Sequence, residues 1–138
     1  MKKIVFVCKG NMHRSVVAMA LYNVLKRDDS FASSYGTMVE AEGRTGRTEE
    51  SYPSLRVFID ALKKLYGVDI SNHVCTQVTP KVLEGADKIV VMAEEEFIPD
   101  WLRKYNYIKW ELPDPDHMTE DEVVKDIRGI KDKVESIL

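Results

Sequence analysis

The chain contains only two cysteines, Cys8 and Cys75, among 138 residues, so it can hold at most one disulfide and is not a cysteine-stapled secreted scaffold. Both read as thiols. Long hydrophobic runs are missing: the apolar stretch after Lys2 and Lys3 ends when Lys9 follows Cys8, too short for a signal-peptide core or a membrane span. A basic excess is missing too. Lysine and arginine number 20 against 23 aspartates and glutamates, and the resulting formal charge of -3 gives no bulk reason to bind nucleic acid or an anionic membrane. Repeats, low-complexity segments and linker-like stretches are also wanting. The expectation is one domain over residues 1–138, cytoplasmic, large enough to bury about two thirds of its unfolded surface. Its partners must be argued from a site.

What is present is an alternation of strand and helix signals. Residues 4–7 form a continuous apolar stretch of the kind buried on both faces of a parallel sheet, and it stops at Cys8-Lys9-Gly10-Asn11. Val16, Val17, Ala20, Leu21, Val24 and Leu25 then recur in pairs every four residues, one apolar stripe on a helix that begins near Arg14. Residues 37–42 alternate weakly and predict a second strand, followed by a glycine- and arginine-bearing loop over 43–52. Pro53 suits a first helical turn, and Leu55, Phe58, Ile59, Leu62, Leu65 and Tyr66 line one helix face that Gly67 ends.

Further on, Thr79 and Pro80 predict a short helix stopped by Gly85, and residues 88–92 a buried strand. Residues 95–104 read as helical with a break at Pro99, and residues 107–110 as a fourth strand. Thr119 and Glu122 form a capping box for a last helix whose stripe is Val123, Ile127, Ile130, Val134 and Ile137. Such alternation predicts an α/β fold, a parallel sheet covered on both faces, with its ligand crevice at the carboxyl ends of the strands. Cys8 sits at such an end.

The segment Cys8-Lys9-Gly10-Asn11-Met12-His13-Arg14-Ser15 places a thiol at a strand end, a turn with Gly and Asn, and an arginine entering a helix. A turn of this kind points successive backbone N–H groups inward and, with the helix N-terminus, makes a nest for a tetrahedral dianion. The same field favours a thiolate at Cys8. Arg14 offers a planar fork for two phosphate oxygens at once. A nucleophile beneath a phosphoryl group points to attack giving a phosphocysteine, later hydrolysed without a metal. The leaving oxygen then needs a proton, and Leu112-Pro113-Asp114-Pro115-Asp116-His117, after the fourth predicted strand, supplies Asp114 as the candidate acid.

These residues resemble the signature of the low-molecular-weight protein tyrosine phosphatases, which pairs C-x5-R-S with a distant Asp-Pro, here Asp114-Pro115. Ser71-Asn72-His73, Gln77 and Ala86-Asp87 extend the resemblance over nearly the whole chain. It implies a three-layer fold whose four parallel strands run in the order 2-1-3-4. It also implies Cys8 as nucleophile, Arg14 as phosphate clamp and Asp114 as acid and then base. Lys9, Gly10, Asn11, Met12, His13, Arg14 and Ser15 would ring the phosphate. Ser15 would donate to the thiolate, and Asn11 would adopt a left-handed backbone tied through a polar network to His73. The implied substrate is a phosphorylated protein or a small aryl phosphate, with no cofactor, metal, nucleic acid or membrane involved.

The chain departs from that pattern in several places. Ala41 and Glu42 stand where the family usually has serine and alanine before the glycine ending the second strand, which removes one member of the Asn11 network. His13 replaces a frequent second cysteine of the loop, Ala93 a frequent aspartate after the third strand, and Asp116 and His117 the aromatics that usually follow Asp-Pro. Alternatives on the same fold are a phosphoarginine phosphatase and a weakly catalytic module that binds phosphate or a phosphoprotein. A thioredoxin-coupled arsenate reductase would need a cysteine where Met92 stands. Elsewhere Cys75, Trp101 and Trp110 read as packing, Arg44 and Arg47 as solvated loop arginines in preference to residues lining the pocket mouth, Glu94, Glu95 and Glu96 as a helix-start charge run, and His13 as either a solvated residue or a tuner of Cys8.

Overall fold

The computed structural model describes residues 2–112 and 119–138. Its centre is β1 (Lys3–Cys8), flanked in parallel by β2 (Phe31–Gly36) and β3 (Lys88–Val91), with β4 (Ile108–Lys109) beyond β3. The order β2-β1-β3-β4 is the one the resemblance implies. Successive side chains of a strand point to opposite faces, and β1 shows the consequence: Ile4, Phe6 and Cys8 enter one apolar cluster, Val5 and Val7 the other. The first cluster is completed by α1 (Arg14–Leu25), α2 (Arg56–Tyr66) and α4 (Glu120–Glu135). A single turn at Pro80–Leu83 and α3 (Asp100–Arg103) cover the second. Helices on both faces of a parallel sheet give the three-layer α/β arrangement.

Local chemistry sets the boundaries. Gly67 ends α2 with φ of 69°, a left-handed conformation that glycine takes without penalty. Thr119 accepts from the Glu122 amide at 3.3 Å while Glu122 accepts from the Thr119 amide at 3.2 Å, the predicted capping box, worth about 1 kcal/mol. Trp110 packs on Phe6 with ring centroids 5.7 Å apart, and Trp101 on Tyr105, as core residues do. Among the described residues no helix is long and apolar enough to cross a membrane.

The second strand is the main correction. It is Phe31–Gly36, not residues 37–42, which belong to the loop that follows. β2 lies at the sheet edge and turns Ala32, Ser34 and Gly36 inward, so its buried positions are small or polar and carry no hydrophobic alternation to read. Gly36 is required by close approach: a Cβ there would lie 2.8 Å from the Asn11 nitrogen, 2.8 Å from the Lys9 oxygen and 2.7 Å from Val39. The edge strand is thus shaped to let the Cys8 loop lie against it. Smaller corrections follow the same logic of short elements. The predicted helix at 79–85 is a 3-10 turn over Pro80–Leu83, and the one at 95–104 divides at Pro99 into a 3-10 turn, Glu95–Phe97, and α3.

Candidate active site

β1 delivers Cys8 to the carboxyl edge of the sheet, and residues 9–13 turn back to start α1 at Arg14. His13 stands at the N-cap of α1 but its side chain makes no capping hydrogen bond, so the first amides of the helix are not consumed by it. Cys8 Sγ lies 2.9 Å from Ser15 Oγ and receives the Asn11 amide N–H at 3.2 Å. Asn11 Nδ2 donates to Ser15 Oγ at 3.1 Å, so the Ser15 hydroxyl proton is left for the sulfur at 2.9 Å or the Tyr35 carbonyl at 3.5 Å, the sulfur being the nearer. Both donors suit an ionised sulfur.

Asn11 has φ of 52° and is wholly buried, a left-handed position that asparagine tolerates better than other side chains do. Its side chain is held at both ends. Oδ1 accepts from the Thr76 amide at 2.9 Å and from His73 Nε2 at 3.1 Å; Nδ2 donates to Ser15 and to Ser34 Oγ, each at 3.1 Å. Burial pushes His73 down to about 4, so at neutral pH it is uncharged and donates its single N–H to Asn11. Ser34 supplies the network member that Ala41 and Glu42 seemed to remove. It precedes Gly36 by two residues, and the misplacement of β2 hid it.

Arg14 is buried, with its guanidinium anchored through Nη1 on the Met92 carbonyl at 3.0 Å and on Glu94 Oε1 at 2.5 Å. The Leu112 carbonyl lies 3.5 Å from the same nitrogen. Glu94 is therefore no mere member of a charge run: it provides, one residue later, a carboxylate that Ala93 cannot. Asp114 lies outside the described residues, as do Asp116 and His117. The described chain before them ends at Leu112, in contact with Arg14.

His13 is not solvated. Its Nε2 lies 2.6 Å from Asp126 Oδ2, both side chains only 5% exposed, and its ring packs on Phe58 at 3.8 Å between centroids. The pair ties the loop to α4 and α2. Asp126 escaped the sequence reading, although it falls three residues after Val123 and four before Ile130, on the apolar stripe itself. Arg44 is also not the solvated residue predicted: its guanidinium rests against Gly10 and pairs with Glu42 at 3.6 Å, whereas Arg47 is exposed as expected. Cys75 is a buried free thiol pushed up to about 11 by burial and by the neighbouring Glu49 carboxyl.

Glu49 is fully buried, and burial raises it to about 9. Neither carboxyl oxygen has a hydrogen-bond partner among the described residues. A carboxyl protonated when folded but ionised when unfolded makes the folded state bind more protons, so stability falls as pH rises from the unfolded value of 4.5 to about 9. The expected result is that Glu49→Gln, neutral in both states, flattens this decline. Urea unfolding at about pH 5 and about pH 8 checks it: the advantage of the variant over wild type grows with pH by at most about 1.4 kcal/mol per unit. A constant difference at both pH values would refute the buried protonated carboxyl.

Comparison with known proteins agrees with this geometry. Residues 3–138 match the family described as low molecular weight phosphotyrosine protein phosphatase. The human low molecular weight phosphotyrosine protein phosphatase is 30% identical over 108 residues, covering 78% of this chain and 65% of its own. A glutaredoxin arsenate reductase of a Synechocystis strain is 27% identical over 143 residues, covering 100% of this chain and 97% of its own. The solved structure of a low molecular weight protein tyrosine phosphatase from T. tengcongensis superposes over the whole of both chains with a TM-score of 0.75 and 26% identity. A cysteine at the end of β1 and an arginine opening α1, on a sheet of this order, thus coincide with a match over nearly every residue, and the chain belongs to the low molecular weight phosphotyrosine protein phosphatase family.

Proposed function

We propose that the protein is a cytoplasmic, metal-independent phosphatase, folded as one domain over residues 1–138, that hydrolyses phosphotyrosine and other aryl phosphate monoesters through a phosphocysteine. The observation that carries this reading is the sulfur of Cys8 at the foot of an uncapped helix N-terminus, hydrogen-bonded by the Asn11 amide and Ser15. The loop amides of residues 9–15 cradle the phosphoryl oxygens, and Arg14 holds two of them with its Nε and Nη2 edge while Nη1 stays anchored on Met92 and Glu94.

The Cys8 thiolate attacks phosphorus; the ester P–O bond breaks and the leaving oxygen takes the Asp114 proton. Asp114, now a carboxylate, removes a proton from water as its oxygen attacks the phosphocysteine. The S–P bond breaks, the thiolate is restored and inorganic phosphate departs. Asn11 and its four partners hold the loop in shape. Met12, partly buried beside the loop, offers an aryl ring an apolar surface, which favours an aryl ester over a phosphorylated guanidinium. Arsenate reduction by a three-thiol relay does not suit a chain whose cysteines are Cys8 and Cys75 alone and whose third strand is followed by Met92.

Purified protein should release nitrophenol from p-nitrophenyl phosphate and phosphate from phosphotyrosine peptides, with phosphoserine and phosphoarginine peptides as comparators. Asp114→Asn is expected to lower kcat on phosphotyrosine peptides about a hundredfold, the usual contribution of a positioned acid. The loss should shrink for the nitrophenyl ester, whose leaving group scarcely needs a proton. Equal losses on the two substrates would remove Asp114 from the acid role.

A further inference from the structure

We propose that Lys9 and Arg44 form a cationic rim on the phosphate loop that selects phosphorylated protein segments carrying an acidic residue two positions from the phosphorylated one. This rests on the phosphatase reading and names the substrate class within it. The Arg44 guanidinium lies against the bare Cα of Gly10: a Cβ at that position would sit 2.6 Å from Nη1. The loop after β2 fixes the arginine there, with the Arg44 amide donating to the Val39 carbonyl at 2.9 Å and the Arg47 amide to the Arg44 carbonyl at 3.0 Å. Lys9, the first residue of the loop after Cys8, holds its Nζ 4.2 Å over the Phe97 ring. Two cations from separate elements thus flank the first turn of the loop.

Between them stands Glu42, with Oε1 at 3.6 Å from Arg44 and Oε2 at 3.8 Å from Lys9. Both contacts are too long for hydrogen bonds, and all three side chains are more than a quarter exposed. Glu42 orients the cations without consuming their donors. The two cations outnumber this carboxylate, while the charge of Arg14 is already met by Glu94, so one positive charge of the Lys9, Arg44 and Glu42 group is left without a counter-charge inside it. Side chains two residues apart in an extended peptide share a face and are about 6.6 Å apart along the chain. A carboxylate two residues from the phosphorylated one therefore faces the same side as the phosphoryl group, toward the rim, and Arg44 offers it a planar fork.

The test compares two phosphotyrosine peptides, one with aspartate or glutamate two positions from the phosphotyrosine and one with alanine there. Wild type is expected to favour the acidic peptide about fivefold in kcat/KM at low salt, chiefly through KM, and less as salt screens the rim. Arg44→Gln should bring that ratio to below about twofold, and Glu42→Gln should raise it. Arg56→Gln, an exposed arginine paired with Asp60 on α2, should leave it where it was. A ratio near one in wild type, a ratio that Arg44→Gln does not move, or an equal fall in Arg56→Gln overturns the inference. Nitrophenol release measured on the same preparations reports on the phosphatase reading separately, so a flat ratio beside intact release rejects the rim alone.

Discussion

Cys8→Ser is expected to give a folded protein that still binds vanadate or phosphate and sustains no release of nitrophenol, a loss of at least about 10^4 in kcat. The substitution keeps the geometry and changes the nucleophile. A hydroxyl at this place needs a base to remove its proton, and the described neighbours of the sulfur are donors: the Asn11 amide and the Ser15 hydroxyl. Among the described residues no histidine is positioned to help. His73 is neutral and directed at Asn11, and His13 is committed to Asp126. A serine oxygen is close in size to the sulfur and can keep the hydrogen bonds to the Asn11 amide and Ser15, so far-ultraviolet circular dichroism and the melting temperature should stay close to wild type. Rapid acid quench of wild type during turnover should trap about one phosphoryl group per chain, and the variant should show no burst of nitrophenol followed by turnover. Wild-type turnover in Cys8→Ser would end the covalent route. Loss of vanadate binding together with activity would mean that the cysteine shapes the loop rather than attacks.

The parts of this arrangement that could be read from the sequence are those in which one hydrophobic pattern determines the local structure. β1 could be read because both faces of a central parallel strand are buried, so Ile4, Val5, Phe6 and Val7 form an unbroken apolar run, and because Lys9 and Gly10 end it abruptly. α2 and α4 could be read because each has a single buried stripe and a defined stop or cap. β2 could not. Its inward residues are Ala32, Ser34 and Gly36, chosen to admit the Cys8 loop and to bond Asn11 rather than to fill a core. The same kind of dependence on a distant partner hid three further residues. Glu94 gains its meaning from Arg14 across 80 positions, Asp126 from His13 across 113, and Arg44 from the absence of a side chain at Gly10. Pattern reading registers the face on which a residue lies; pairing between loops of separate elements requires the fold. Where the fold brought such partners together, apparent departures from the family pattern proved to be relocations: Ser34 restores the Asn11 network and Glu94 supplies the carboxylate missing at position 93.

Arg14→Lys is expected to lower kcat about a thousandfold while leaving the fold intact, and the reason lies in how the guanidinium divides its work. Nη1 is held by the Met92 carbonyl at 3.0 Å and Glu94 at 2.5 Å, so the group is anchored before substrate arrives, and the proposed clamp uses its Nε and Nη2 edge. A lysine ammonium has one nitrogen. It can stay with Met92 and Glu94 or approach the phosphoryl oxygens, and it cannot do both with the planar geometry that a trigonal-bipyramidal phosphorus demands. Arg14→Ala is the poorer test, because it strands a buried carbonyl and the Glu94 carboxylate and so adds about 1–3 kcal/mol of instability to any loss of rate. Keeping a positive charge separates clamp from scaffold. The decline should appear in kcat rather than in KM, since charge on the equatorial oxygens is best matched in the transition state, and vanadate, which mimics that state, should lose affinity more than phosphate does. Glu94→Gln isolates the anchor: with the fork present but its orientation less firmly held, a fall of about tenfold is expected, and the double variant Arg14→Lys with Glu94→Gln should be no worse than Arg14→Lys alone. Activity of Arg14→Lys within tenfold of wild type would show that charge alone suffices at this position, and the bidentate clamp would then have to be abandoned even if Cys8 remained the nucleophile.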